Sequence, residues 1–65
     1  MAQLCFDYDA GRFNLSGKEV HCGDTLALLI DGQWKPCRIE LTAQDEWYAV
    51  GYPALRLDGL QACWR

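Results

Sequence analysis

Hydrophobic and polar residues alternate at the start of this chain with a period of two. From Gln3 to Asp9, the apolar or aromatic residues Leu4, Phe6 and Tyr8 fall on one face. Alternation over this length is typical of a half-buried β-strand. The pattern therefore predicts an opening strand with these three side chains directed towards the core.

A second, shorter run covers Arg12 to Leu15. It lies between turn signals at Ala10-Gly11 and Ser16-Gly17. Two turns this close together predict a hairpin or a long irregular loop. We expect Phe13 and Leu15 to pack this arm against the rest of the chain.

The stretch from His21 to Val50 organises the chain. Thr25 to Ile30 is an almost continuous apolar run, and the dipeptide Asp31-Gly32 after it is a strong hairpin signal. A helix is the competing interpretation, but six residues closed by this turn favour a strand. A second strand is then predicted from Trp34 to Leu41. Its inward positions are predicted to be Trp34, Cys37, Ile39 and Leu41, and its outward positions Arg38 and Glu40.

The rest of the chain predicts closing strands. Trp47 to Val50 is a short aromatic strand ended by Gly51-Tyr52-Pro53. In the tail, Leu55 and Leu57 precede a second Asp-Gly pair, and apolar residues then alternate up to Trp64. This arrangement predicts a final short hairpin.

Five to seven short strands with turns throughout predict an all-β fold in one domain, residues 1–65. A sandwich of this size would have too few residues in each sheet. A small, partly open SH3-like barrel is the better prediction, because closure protects strand edges that would otherwise stay unpaired.

The composition limits the classes of partner that the protein is predicted to bind. The chain is 51% hydrophobic and carries a net charge of −3. Nucleic-acid binding depends on Lys and Arg neutralising phosphates, so six scattered basic residues give it little support, and anionic membranes are disfavoured for the same reason. The opening MAQLCFDYD has neither the basic nor the apolar region of a secretory signal, so we expect a cytoplasmic protein that does not bind membranes.

Four cysteines raise the questions of disulfides and metals. Cys5, Cys22, Cys37 and Cys63 are scattered and form no C-x-x-C pair. In the cytoplasm we expect reduced, mostly buried thiols that act as small hydrophobic residues. The alternative is that the fold brings these cysteines together in a zinc site. The prediction is no cofactor and no metal.

Few residues suggest catalysis. His21 and Cys22 are adjacent, and neighbours on a strand point to opposite faces, so they are not predicted to form a nucleophile–base pair. Asp7 and Asp9 would share one face of the opening strand, where two carboxylates can act as acid and base. A chain this short encloses hardly any cleft, and a solvated face is the preferred interpretation. The sequence predicts a protein that is not an enzyme.

Part of the chain resembles SH3 domains. The similar segments are Phe6-Asp7-Tyr8, Gly23-Asp24-Thr25-Leu26 and Asp31-Gly32-Gln33-Trp34. The chain departs from SH3 peptide grooves because Lys35 follows Trp34, where those domains have a second tryptophan. Binding of proline-rich peptides is therefore not predicted.

A closer resemblance covers nearly the whole chain. The strings G-R-F-x-L-x-G-x-E-V-H-C-G-D, G-x-W-x-x-x-R-I-E, E-W-Y-x-V-G and L-x-L-x-G-L span Gly11–Asp24, Gly32–Glu40, Glu46–Gly51 and Leu55–Leu60. They are similar to a family of very short bacterial proteins with a domain of unknown function. That family occurs in Gram-positive bacteria and their phages, plasmids and integrative elements. The resemblance implies an accessory protein that binds something larger, and inhibition of a host defence nuclease is one form of this.

Aromatic residues mark the predicted binding surface. Trp47 and Tyr48 are consecutive on a strand, so one of the two rings faces away from the core unless both faces of the sheet are covered. Trp, Tyr and Arg dominate protein interfaces. We predict a protein partner, with a nucleic-acid-associated barrel or a homodimer as alternatives. The predicted binding residues are Tyr48, Tyr52, Arg38, Trp47 and Arg12.

Overall fold

Eight β-strands make up the regular structure in the computed structural model, which describes residues 2–65. In chain order they are β1 (Ala2–Gln3), β2 (Cys5–Asp7), β3 (Arg12–Leu15), β4 (Lys18–Glu19), β5 (Thr25–Ile30), β6 (Gln33–Leu41), β7 (Trp47–Ala49) and β8 (Gln61–Trp64). The predicted all-β class is confirmed. Among the described residues there is no helix long and apolar enough to cross a membrane.

The strands form two sheets, and all paired strands within the sheets are antiparallel. The larger sheet has five strands in the order β1-β8-β5-β6-β7, and the smaller has three in the order β2-β3-β4. The larger sheet therefore has β1 and β7 as its edges. Closure into an SH3-like barrel goes beyond these ladders and stays a prediction.

The β5–β6 hairpin forms where the sequence predicts it. Ile30 pairs with Gln33, which leaves Asp31 and Gly32 as a two-residue connection. Both connecting residues have positive φ, 51° for Asp31 and 77° for Gly32. This conformation matches the right-handed twist of the flanking strands, and Asp-Gly is the pair that adopts it most readily.

The hydrophobic core draws on both sheets. On β5, Leu26, Leu28 and Ile30 alternate inwards, and Phe13 and Leu15 of β3 are buried as predicted. Their burial removes apolar surface from water, which is the main force that stabilises the fold. The full core cluster contains Leu4, Phe13, Leu15, Val20, Leu26, Leu28, Ile30, Cys37, Ile39, Ala49, Leu57 and Ala62.

Leu4 divides the predicted opening strand in two. Its N–H donates to the carbonyl of Leu60 (2.9 Å), and its own carbonyl accepts from the N–H of Gly59 (2.7 Å). The chain thus passes from the larger sheet at β1 to the smaller sheet at β2. Tyr8 lies beyond the end of β2 in a turn and is 83% exposed. The prediction that it points to the core is wrong, because the strand ends one residue earlier.

The predicted burial of Trp34 is also wrong. Side chains of a strand alternate between faces, so residues separated by an odd number of positions face opposite ways. Cys37 and Ile39 of β6 are buried, which places Trp34 on the outer face, opposite Leu29. Trp34 is 43% exposed.

The tail does not form the predicted hairpin. Residues 55–57 are irregular, although Leu57 is buried. The last strand, β8, pairs instead with β1 and β5. The Asp58-Gly59 turn is present, and the chain after it joins partners that are distant in sequence.

The prediction that the cysteines are mostly buried is wrong. All four thiols are free, but only Cys37 is buried, whereas Cys5, Cys22 and Cys63 are exposed. Cys63 lies on β8 beside the buried Ala62 and so faces outwards. Three of the four cysteines therefore do not act as core residues.

Candidate binding groove

Four aromatic rings form a continuous row across one side of the molecule. Phe6 of β2 lies opposite Phe13 of β3, with ring centroids 5.0 Å apart. Tyr8 packs edge-on against Phe6 at 4.9 Å, and Trp47 packs edge-on against Phe13 at 6.4 Å. Contacts of this edge-to-face kind stabilise aromatic pairs beyond the area they bury. We call these four residues the aromatic row.

The aromatic row lines an open groove of about 420 Å³. One wall is the β2–β3 hairpin, and the other is formed by the turn before β7 together with residues 55–58. Alongside the row, the groove is lined by Asp45, Glu46, Leu55, Arg56, Leu57 and Asp58. A concave site with apolar walls and a few polar groups is the usual form of a binding site.

Hydrogen bonds hold the groove in shape. The indole N–H of Trp47 donates to the carbonyl of Gly11 (3.0 Å), which attaches β7 to the turn of the β2–β3 hairpin. That turn is itself fixed by Asp7, whose Oδ1 accepts from the N–H groups of Asp9 (3.0 Å) and Ala10 (3.3 Å). Side-chain acceptance of this type defines an Asx turn. Asp7 thus holds the turn, and Asp9 lies in that turn beyond the end of β2 and not on the strand face it was predicted to share with Asp7.

The rim of the groove is acidic. Asp45, Glu46 and Asp58 contribute three negative charges against the single positive charge of Arg56, a local balance of −2. The Oδ1 atom of Asp58 accepts from the N–H of Phe6 (3.1 Å), which ties the irregular tail to β2. An acidic rim around apolar walls favours cationic ligands over anionic ones.

The structure brings two of the predicted binding residues together. Trp47 belongs to the groove, and Tyr48 lines a smaller adjoining depression of about 390 Å³ with Thr42 and Pro53. Trp47 and Glu46 line both. The two depressions therefore meet at the start of β7.

The other three predicted residues lie outside both depressions. Arg38 is exposed on β6 with its Nε 2.8 Å from a carboxylate oxygen of Glu40. Arg12 lies opposite Asp7 in the β2–β3 hairpin. Tyr52 is half-buried and packs against the core, where its backbone pairs with Ala49.

Phe6, Tyr8 and Phe13 were not predicted as binding residues. The Ala10-Gly11 turn was the sequence signal that could have linked Phe6 to Phe13, because a hairpin around this turn places the two residues opposite each other. No local signal links them to the turn at Asp45 and Glu46, which is more than thirty residues away along the chain.

His21 and Cys22 lie in a turn and not on a strand. The N–H of His21 donates to Oδ2 of Asp24 (2.8 Å), and its exposed ring lies 3.7 Å from Glu19. Within residues 2–65, no group of three or more His, Cys, Asp or Glu is placed to hold a metal ion. The turn before β5 is formed by the backbone of His21, whose carbonyl also accepts from the N–H of Asp24 (3.1 Å).

Comparison with known proteins gives one family and one similar structure. A family model described as a domain of unknown function, DUF5348, matches residues 2–63. The crystal structure of a protein from Ruminococcus gnavus is similar, with 33% sequence identity and a TM-score of 0.77, and the match covers 95% of this chain and 96% of that one. No curated protein matches. The similarity concerns the whole fold and not a single motif.

Proposed function

This chain belongs to the DUF5348 family, and from that premise we propose that it is a non-enzymatic module that binds a larger protein through the aromatic groove. One observation carries the proposal: Tyr8, 83% exposed, continues a row of rings into an open groove. An exposed aromatic side chain beside an apolar groove is the arrangement found at protein-binding hot spots.

The residues that suggested catalysis have structural partners. Asp7 accepts two N–H groups of its own turn, and Asp24 holds the turn at His21. These contacts support a binding role over a catalytic one. We place the protein in the cytoplasm, without a cofactor, as an accessory protein of a phage or mobile element that modulates its partner. The resemblance of its motifs to proteins of such elements supports this setting.

The acidic rim bears on the two alternatives. Nucleic acid would bring phosphates towards Asp45, Glu46 and Asp58, and like charges repel. A homodimer would form by pairing of the edge strands β1 and β7 and would not need the groove. Both edge strands are short, which disfavours such pairing. The groove is therefore best suited to a different protein.

Affinity capture with two matched variants tests the proposal. The tagged protein is used to capture partners from a lysate of the bacterium that carries it, at low and high salt. Tyr8→Ala removes an exposed ring of the groove, and Trp34→Ala removes an exposed ring outside it. We expect a partner that resists salt, is lost with Tyr8→Ala and is kept with Trp34→Ala. Circular dichroism confirms that both variants fold.

Other results would contradict the proposal in distinct ways. If the partner is lost with Trp34→Ala and kept with Tyr8→Ala, the interface lies on the outer face of the larger sheet. Nucleic acid that washes off with salt would favour the nucleic-acid alternative, because counterion release makes such binding steeply salt-dependent. A column without a partner, with a dimer in sedimentation, would favour self-association.

A further inference from the structure

The groove is suited to a positively charged side chain, and we propose that the partner inserts an arginine or lysine of a basic segment into it. This inference rests on the proposed function, because it names what the partner presents to the same groove. It is carried by two independent features, the exposed ring of Tyr8 at the groove and the charge of the rim.

Tyr8 is the ring of the aromatic row that a ligand can reach most easily, because it is 83% exposed. The planes of Tyr8 and Phe6 meet at 72°, and those of Phe6 and Phe13 meet at 79°. In such edge-on contacts the edge of one ring lies against a face of the next, and the exposed Tyr8 ring at the end of the row keeps most of its surface open. A ring face carries negative electrostatic potential, and it attracts an ammonium or guanidinium group within about 6 Å.

The rim supplies carboxylates to pair with the cation. Asp45 and Glu46 are exposed at the groove, and neither takes part in an ion pair in the described part of the chain. Asp58 uses one oxygen for the N–H of Phe6 and retains the other. Arg56 is the single basic residue at this rim. The local balance of −2 therefore accounts for most of the net charge of −3.

A cationic side chain matches both features at once. Its aliphatic stem can cover the apolar walls while its charged end reaches the rim. A guanidinium group can also stack on a ring and, in the same position, donate hydrogen bonds to a carboxylate. A neutral apolar segment would fill the walls and cover the carboxylates without pairing them, which costs free energy.

Titration with a short peptide tests the inference directly. The probe is the blocked peptide Gly-Arg-Gly-Arg-Gly, compared with the same peptide carrying neutral citrulline in place of arginine. The three tryptophans provide separate indole N–H signals in an NMR spectrum. Trp47 reports on the groove, and Trp34 and Trp64 lie outside it and serve as internal controls. We expect the arginine peptide to shift the Trp47 signal saturably and the citrulline peptide to bind about tenfold more weakly.

Charge variants provide the second arm. The double variant Asp45→Asn with Glu46→Gln removes two rim charges, and we expect it to weaken binding of the arginine peptide about fivefold. The matched control, Asp31→Asn with Glu19→Gln, removes the same charge away from the groove and should leave the affinity unchanged. Asn tolerates the positive φ of Asp45 (62°) and of Asp31 (51°), so all these variants should fold.

The outcomes separate this inference from the proposed function. Equal binding of the arginine and citrulline peptides, equal weakening in both double variants, or no shift at Trp47 would each overturn the cationic assignment. Capture of a partner that depends on Tyr8 would leave the proposed function intact in any of these cases. Selective binding of the arginine peptide without any captured partner would support the cationic groove and count against the proposed function.

Discussion

Cys37 shows how the fold alters the chemistry of a single side chain. It is 3% exposed on β6 and belongs to the core. Burial raises the pKa of the Cys37 thiol above its ordinary value, and the nearby Lys35 ammonium offsets part of this effect. The folded state therefore favours the neutral thiol, because a thiolate in the core would lose its hydration.

A raised pKa makes stability depend on alkaline pH. The thiol contributes its full stability below the ordinary pKa of 9.0 and loses it as pH rises towards the higher folded value. We expect the free energy of unfolding in urea to fall between neutral pH and about pH 10. Cys37→Ala should be less stable at neutral pH but show a smaller fall. A fall of equal size in both proteins would mean that other groups account for it.

The β6 strand shows how alternation assigns neighbouring residues to different roles. Cys37 and Ile39 face the core, and Arg38 and Glu40 form an ion pair at 2.8 Å on the outer face. Trp34 belongs to the outer set, where it lies opposite Leu29. A large aromatic residue is therefore a surface residue here, while the smaller Ile39 is part of the core.

Two substitutions in β6 test this assignment. Ile39→Ala empties a core position and should cost about 2–5 kcal/mol. Trp34→Ala removes a cross-strand pair on the outer face and should cost only about 0.2–1 kcal/mol. Urea unfolding at neutral pH measures both. A larger loss for Trp34→Ala than for Ile39→Ala would contradict the strand orientation.

At the scale of the whole molecule, two indole groups fasten the smaller sheet to the larger. Trp64 of β8 donates from Nε1 to the carbonyl of Leu15 at the end of β3 (3.0 Å). Trp47 of β7 donates to Gly11 in the hairpin turn (3.0 Å). The ring of Trp64 also lies under the Lys18 ammonium, 4.8 Å from its centroid. Of these contacts, the hydrogen bond of Trp47 also holds the walls of the groove in a fixed relation.

Trp64→Phe should therefore lower the melting temperature. It removes a hydrogen bond with a net value of about 0.5–1.5 kcal/mol. In a domain of this size each kcal/mol corresponds to about 4–8 °C, which calorimetry resolves. The control is Trp34→Phe, which shortens an exposed indole on the outer face and should have little effect. Similar shifts in the two variants would rule out a special role for the link between the sheets.

By itself, the sequence determined the elements that depend on neighbouring residues. Asp31-Gly32 defined its hairpin because few residue pairs adopt two positive φ angles readily, and short apolar runs bounded by turn signals defined β3 and β5. Trp47 and Tyr48 were also placed correctly on a strand. Local geometry decided each of these features, so local sequence was enough.

Only the tertiary structure decided where distant segments meet. The break at Leu4 depends on hydrogen bonds to Gly59 and Leu60, and β8 pairs with β1 and β5 and not with the preceding tail. The groove likewise joins the β2–β3 hairpin to a turn and a tail far along the chain. A period of two gives strand faces but not strand partners, because the pairing energy depends on which apolar faces can be buried together.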